Sequence, residues 1–100
     1  MIINRSTLRD VQAESERALA KHGPGKVLTN ITMPRGEKLA ALGEEFGEVC
    51  RALTYDNGDR TNLREELIQL GNLALAWAQS EGDLMSQVQE SKWGMGNPAE

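Results

Sequence analysis

The sequence predicts an all-α fold, an antiparallel helical bundle in one small domain. Three observations predict it: apolar residues recur with the helical period over long segments, turn-forming residues separate these segments, and few residues alternate as strand residues do. The chain has 100 residues and an aromatic content of 4%. A chain this short builds only a modest core, so we expect dimerisation to complete the bundle.

The first predicted helix runs to about His22. Ser6 and Thr7 can cap its start, because their hydroxyl groups accept hydrogen bonds from the first free backbone N–H groups. The sequence Gly23-Pro24-Gly25 ends it. Residues 23–34 contain further helix breakers and are typical of a loop.

The second helix is predicted from Arg35 to Thr54. Its apolar residues follow the 3.6-residue period, namely Leu39, Leu42, Phe46, Val49 and Leu53. The sequence Asp56-Asn57-Gly58-Asp59 is a turn signal that ends it. A short turn makes the second helix and the one that follows antiparallel neighbours.

The third helix is predicted from Asn62, which can form a capping box with Glu65, to near Gly82. Beyond Glu66 its apolar residues cover almost the whole circumference, which is typical of a helix buried on most sides. Residues 83–92 are expected to form a short fourth helix. The domain would therefore span residues 1–92, and residues 93–100 would form a mobile tail.

Composition narrows the class of protein. The net charge of −4 argues against nucleic acid or an anionic membrane as the main partner. The single cysteine, Cys50, rules out an internal disulfide and fits a reducing compartment. No apolar run reaches membrane-spanning length, and the first residues lack the apolar core of a signal peptide. We therefore expect a cytoplasmic protein with neither nucleic acid nor membrane as partner.

Two acidic clusters carry the functional signal. Glu45 and Glu48 lie one turn apart on the second helix, and Glu66 and Gln69 lie one turn apart on the third. If the two rows face each other, three carboxylates and an amide oxygen surround one position. Oxygen ligands of this kind suit Mg²⁺, which retains waters and binds phosphate. The alternative is that such glutamates only form solvated helix faces, which is common for a single pair.

The spacing Glu44-Glu45-x-x-Glu48, followed on the next helix by Glu66-x-x-Gln69, resembles the signature of the MazG-like all-α nucleoside triphosphate pyrophosphohydrolases. The match covers roughly residues 36–80, and the segment from Leu67-Ile68-Gln69 to Ala76-Trp77 resembles small phage and actinobacterial members. The resemblance implies a homodimer or homotetramer that hydrolyses a nucleoside triphosphate to a monophosphate and pyrophosphate. It implies Glu45, Glu48 and Glu66 as Mg²⁺ ligands, and Glu44 as a ligand or an aid to positioning water.

Gln69 departs from the family pattern, which has Asp at this position. An amide oxygen can bind Mg²⁺ but brings no charge and cannot act as a general base. The alternative function is therefore a protein that binds or sequesters a nucleotide, or a nucleotide signal, without cleaving it. A third hypothesis is a helical adaptor whose acidic rows bind a basic partner.

Three further residues are candidate substrate contacts. Lys38 lies on the Glu45 side of its helix and is the best candidate for a phosphate. Asn72 lies beside the row of Glu66 and Gln69. Trp77 could stack on a base or belong to the core.

Overall fold

The computed structural model describes residues 2–55 and 59–96, and side chains up to residue 88. Over these residues the chain is helical and contains no strand, which confirms the all-α prediction. Three helices and one 3-10 turn follow in the order α1 (Arg5–His22), the turn (Pro24–Lys26), α2 (Arg35–Thr54) and α3 (Arg60–Gly96).

Helix α1 ends at the predicted residue but is capped by a different one. The Asn4 side chain accepts a hydrogen bond from the Thr7 backbone N–H at 2.8 Å, so Asn4 takes the role that we predicted for Ser6 and Thr7. Gly23 ends the helix with a φ of 81°, a conformation that glycine adopts without steric cost. Its N–H donates to the Leu19 carbonyl at 2.9 Å.

Helix α2 begins at Arg35 and ends at Thr54, as predicted. Pro34 precedes it in an extended conformation, which a proline favours at a helix start. Residues 56–58, most of the predicted turn, lie outside the described residues.

Helix α3 is one continuous helix of 37 residues. The separate helix predicted after Gly82 is therefore wrong, because a single glycine costs a helix only about 1 kcal/mol and does not end it. The capping residue is Asp59 rather than Asn62: its Oδ1 accepts from the backbone N–H groups of Thr61 and Asn62 at 2.9 and 3.2 Å. The predicted mobile tail begins within this helix, and residues 97–100 lie outside the described residues.

Helices α2 and α3 pack against each other in antiparallel directions. Lys38, near the start of α2, bonds to Ser80 in the second half of α3, whereas Glu45 lies beside Gln69, earlier in α3. Val49 and Ala52 of α2 are buried. The antiparallel pairing agrees with the prediction from the short connection.

Helix α1 lies along α3 in the same direction. The Asp10 carboxylate pairs with the Arg64 guanidinium at 2.9 Å, and none of the α1 residues is buried. The connection to α2 is held by Leu28, which is buried, and by Asn30, whose amide nitrogen donates to the Gly25 carbonyl at 2.9 Å. Helix α1 and this connection form one wall of a cavity, and the α2–α3 pair forms the other.

One side of the α2–α3 pair is left uncovered by the residues that the structure describes. Leu67 and Leu75 of α3 are 47% and 54% exposed, so α3 is not buried on most sides as predicted. The radius of gyration is 17.1 Å, whereas a compact chain of this length has about 13 Å. Among the described residues, no helix combines the length and the apolar character that crossing a membrane requires.

Candidate functional site

The site is centred on Glu45 of α2 and Glu66 of α3, which the antiparallel pairing brings side by side. The pKa of Glu45 is raised from 4.5 to about 8, first by burial and then by hydrogen bonding and charge repulsion from Glu66. The carboxylates of Glu48 and Glu14 add smaller repulsions. At neutral pH Glu45 therefore holds a proton between two carboxyl groups, at a position where a cation would also be stable.

Glu66 contributes a buried acceptor atom. Its Oε2 is shielded from solvent and has no hydrogen-bond partner. An unpaired buried carboxyl oxygen costs free energy, which a bound cation or a donor would recover.

Gln69 is oriented by Glu45. With its amide nitrogen turned toward that carboxyl group, Nε2 lies 3.2 Å from Oε1 and 3.3 Å from Oε2. The amide thus acts as a donor here, whereas we predicted its oxygen as a metal ligand. Rotation of the amide by about 180° would present the oxygen instead.

Glu45 and Gln69 line a cavity of about 500 Å³ between α1, its connection to α2, and the α2–α3 pair, whereas Glu66 contacts Glu45 but is not among the lining residues. The walls of the cavity carry opposite charges. The acidic wall is formed mainly by α2 and includes Glu44, Glu45 and Glu48. The basic wall comes from the end of α1 and the 3-10 turn, and includes Lys21, Lys26 and Arg17, the last paired with Glu14 of the same wall. An acidic wall facing a basic wall suits a ligand that combines a cation with an anion.

Glu14 and Arg17 of α1 were missed by the sequence analysis. The Arg17 guanidinium binds the Glu14 carboxylate through two hydrogen bonds, of 2.9 and 2.5 Å, and the contact with Glu14 raises the pKa of Arg17. A usable signal was present, because Glu14, Arg17 and Lys21 have the i, i+3, i+7 spacing of one helix face. Nothing in the sequence indicated that this face would meet the acidic residues of α2.

Lys38 lies away from the cavity. It is 1% exposed, and its Nζ donates to Ser80 Oγ at 2.6 Å between α2 and α3. Ser80 Oγ in turn donates to the Trp77 carbonyl at 2.7 Å. The helical wheel correctly placed Lys38 on the same side of α2 as Glu45. That side lines the cavity at Glu45, but at Lys38 it packs against α3. Lys38 is therefore not placed to contact a phosphate in the cavity.

The other predicted residues divide between two locations. Asn72 is 7% exposed and lines the cavity. Glu44 and Glu48 are exposed at its acidic wall. Trp77 lies outside the cavity lining, and its indole Nε1 donates to Glu81 Oε2 at 3.2 Å. Glu81 also binds Arg35, so Trp77 belongs to a polar contact between the helices.

The described residues contain no group of three or more His, Cys, Asp or Glu side chains arranged to hold a metal ion. Glu45 and Glu66 come together, whereas Glu48 stands at the cavity wall. Mg²⁺ commonly uses one or two protein carboxylates and completes its coordination with waters and phosphates. The pair therefore fits Mg²⁺ delivered with a phosphate better than a metal held by protein alone.

No protein-family model matches this chain, and neither does any curated protein or solved structure. The resemblance to the MazG-like pyrophosphohydrolases therefore rests on the acidic motif.

The Glu45–Glu66 pair predicts that the ligand-free protein loses stability as the pH rises. Between pH 4.5 and about 8 the unfolded chain has released a proton from Glu45 that the folded chain keeps. Glu45 therefore contributes most to the free energy of unfolding at low pH. This contribution is lost as the pH rises through the folded-state pKa of about 8. Glu45→Gln should reduce the drop in melting temperature between about pH 5 and pH 9. An equal drop in Glu45→Gln and in the exposed control Glu65→Gln would contradict the prediction.

Proposed function

We propose that the protein binds a nucleoside triphosphate with Mg²⁺ in the cavity and hydrolyses it to a monophosphate and pyrophosphate. The observation that carries this proposal is the position of Glu45, which interacts with Glu66 and lines the same cavity as the basic side chains of α1 and the 3-10 turn. A metal-chelated polyphosphate has the cation and the anion that these two walls complement.

The residues of this chain have distinct roles in the proposal. Glu45 and Glu66 would hold the metal in place of the proton that they share in its absence, and Glu48 adds negative charge beside them. Arg17, Lys21 and Lys26 neutralise the phosphates from α1 and the 3-10 turn. Mg²⁺, when bound, supplies charge neutralisation and a water of lowered pKa.

Glu44 and Asn72 complete the proposed site. Glu44 lies at the acidic wall, where its carboxylate can orient a water. Asn72 is buried against the cavity, where its amide offers a donor and an acceptor to the ligand. The proposal also includes membership of the MazG-like family, a homo-oligomeric state and a cytoplasmic location.

A second candidate function is nucleotide binding without cleavage. It is favoured by Gln69, which replaces the family's Asp and donates its amide nitrogen to Glu45. A neutral amide supplies neither the charge nor the base that an Asp would supply. In this case the cavity retains the nucleotide intact.

Incubation with Mg²⁺ and each canonical or modified nucleoside triphosphate separates these functions. Hydrolysis predicts pyrophosphate release that requires Mg²⁺ and is lost in Glu66→Gln. Binding alone predicts that calorimetry detects a complex from which the ligand is recovered unchanged. Neither release nor binding, at high protein concentration, would contradict both candidates and leave the helical adaptor.

Gln69→Asp should increase hydrolysis. The substitution restores a carboxylate one turn from Glu66, and a positioned acid–base group contributes about 10²–10⁴-fold to a rate. Gln69→Asn is the matched control, because it has the same length as Asp but no charge. The measurement is the initial rate of pyrophosphate release at saturating Mg²⁺. Equal rates in Gln69→Asp and Gln69→Asn would contradict the assigned role.

A further inference from the structure

Glu14 of α1 lies at the boundary between the cavity and a groove that runs along α1 and α3. The ion pair of Asp10 with Arg64 sets the register of these two helices, which run in the same direction. One turn further along, Glu14 and Ile68 occupy the corresponding positions, and Gln69 follows Ile68. Glu14 and Gln69 both line the cavity, and both also line the groove. The carboxylate of α1 and the amide of α3 therefore face the same space.

The carboxylate of Glu14 acts on the centre of the site. Its negative charge is one of the causes that raise the pKa of Glu45, after the larger effects of burial, Glu66 and Glu48. Its side chain is only 15% exposed, so solvent screens its charge less than that of a fully exposed group. Gln69 brings no charge to this place. Helix α1 thus supplies, beside Gln69, the negative charge that an Asp at residue 69 would carry.

Arg17 neutralises this carboxylate in the ligand-free protein. The Arg17 guanidinium donates two hydrogen bonds to Glu14, of 2.9 and 2.5 Å, and such bidentate contacts are stronger than single ones. The Arg17 side chain is 56% exposed, so it has solvent into which it can turn. While the pair is formed, neither charge is available to a ligand. A molecule that binds one member must therefore compete with the other.

The cavity also contains a buried polar group that no described residue satisfies. Asn72 is 7% exposed and lines the cavity, and its amide has no hydrogen-bond partner among the described residues. The other strongly buried polar residues of the described part of the chain, Lys38 and Ser80, bond to each other. An unpaired buried amide costs free energy that a bound molecule recovers. This observation points to a ligand in the cavity independently of the acidic residues.

We propose that Glu14 supplies the charge that is missing at residue 69, and that the Glu14–Arg17 pair makes anion binding depend on a metal ion. A polyphosphate that carries a divalent cation offers a partner to each member of the pair, because the cation attracts Glu14 and the phosphate oxygens attract Arg17. An uncomplexed polyphosphate offers a partner to Arg17 alone and leaves Glu14 unneutralised beside Glu45. The cavity therefore selects the metal complex over the free anion.

Glu14 acts in this proposal through its charge and through water rather than as a direct metal ligand. The described residues hold no arrangement of three or more His, Cys, Asp or Glu side chains that would bind a metal ion directly. Mg²⁺ keeps several of its waters, and a nearby carboxylate accepts hydrogen bonds from them. The inference rests on the proposed binding of a metal-complexed polyphosphate but not on its cleavage.

Calorimetry with inorganic tripolyphosphate tests the inference, once with excess Mg²⁺ and once in EDTA. The native chain should bind the Mg²⁺ complex and not the free anion. Glu14→Gln should weaken binding of the Mg²⁺ complex by about tenfold or more. The same substitution should allow the free anion to bind, because it releases Arg17. These opposite changes identify the role of Glu14, since the mere loss of a negative charge would strengthen binding of both forms.

Glu16→Gln is the matched control, because Glu16 is exposed on the same helix and lines neither the cavity nor the groove. It should leave both affinities unchanged. Glu14→Gln/Gln69→Asp is the complementary variant, because it moves the carboxylate from α1 to α3. It should regain most of the affinity for the Mg²⁺ complex that Glu14→Gln loses.

Two results would overturn the inference alone, namely affinities for both forms that Glu14→Gln leaves unchanged, or that it shifts in the same direction. A native chain that binds neither form would overturn the proposed function together with the inference. Binding of the Mg²⁺ complex without any hydrolysis, followed by the opposite changes in Glu14→Gln, would support the inference and contradict only the proposed cleavage.

Discussion

Glu45→Gln/Glu66→Gln should abolish the Mg²⁺-dependent binding of nucleoside triphosphates. Each carboxylate contributes a charge-assisted contact of about 1.5–3 kcal/mol, and the loss of both weakens binding by about a hundredfold or more. The pKa of Glu45 is raised by burial and by its interaction with Glu66, and the substitution removes both ionisable groups, so the folded protein remains stable. Calorimetry with Mg²⁺ and nucleotide measures the effect directly.

Glu65→Gln is the control for this prediction, because Glu65 is exposed and precedes Glu66 in α3. It removes one negative charge, as the double variant does in the ligand-free protein at neutral pH, where Glu45 is protonated, but it leaves the pair intact. Unchanged affinity in the double variant would show that the ligand binds elsewhere. Equal losses in the double variant and in Glu65→Gln would indicate a general charge effect.

Ser80→Ala should destabilise the protein by about 1.5–3 kcal/mol, because it leaves the buried Lys38 ammonium without the hydroxyl that accepts its hydrogen bond. Lys38→Met in the same chain should recover much of this loss, since Met replaces the aliphatic part of Lys and removes the buried charge. Urea denaturation at fixed protein concentration gives both values.

Ser86→Ala is the matched control, because Ser86 lies on the exposed part of α3. Its effect should stay within about 0.5 kcal/mol. If Ser80→Ala were equally mild, the Lys38–Ser80 bond would not hold α2 and α3 together. If Lys38→Met made Ser80→Ala worse, the buried charge would itself be stabilising.

The period of apolar residues predicted where the helices lie but not how each one starts. Helix α2 lies where it was predicted, at about Arg35 to Thr54, since Pro34 and the following turn signal bound it. Asn4 caps α1 and Asp59 caps α3. In each helix the predicted capping residue is another polar residue two or three positions further along the chain. The choice depends on a few backbone dihedral angles, which composition does not specify.

The length of α3 could not be predicted from the local sequence either. Gly82 and the polar residues after it favour an end, yet the helix continues. A single glycine costs a helix only about 0.5–1 kcal/mol relative to alanine, which does not end it.

The candidate site was predictable where it depends on spacing within α2 and α3. The i, i+3 rows and the antiparallel connection were sufficient to place Glu45 beside Glu66. The contribution of α1 was not predictable, because no periodicity specifies which face of α1 meets the cavity. Lys38 was misplaced for a related reason: a helical wheel gives the direction of a side chain but not the depth at which the neighbouring helix covers it.

The central claim is that the cavity binds a metal-chelated polyphosphate, and a thermal-shift matrix of Mg²⁺ and nucleoside triphosphates tests it most directly. Stabilisation follows from binding to the folded state alone, at about 2.7 kcal/mol for a ligand at a hundred times its Kd. The account predicts a rise in melting temperature that requires Mg²⁺ and nucleotide together and disappears in Glu45→Gln/Glu66→Gln. A melting temperature unmoved by every nucleotide in the presence of Mg²⁺ would contradict it.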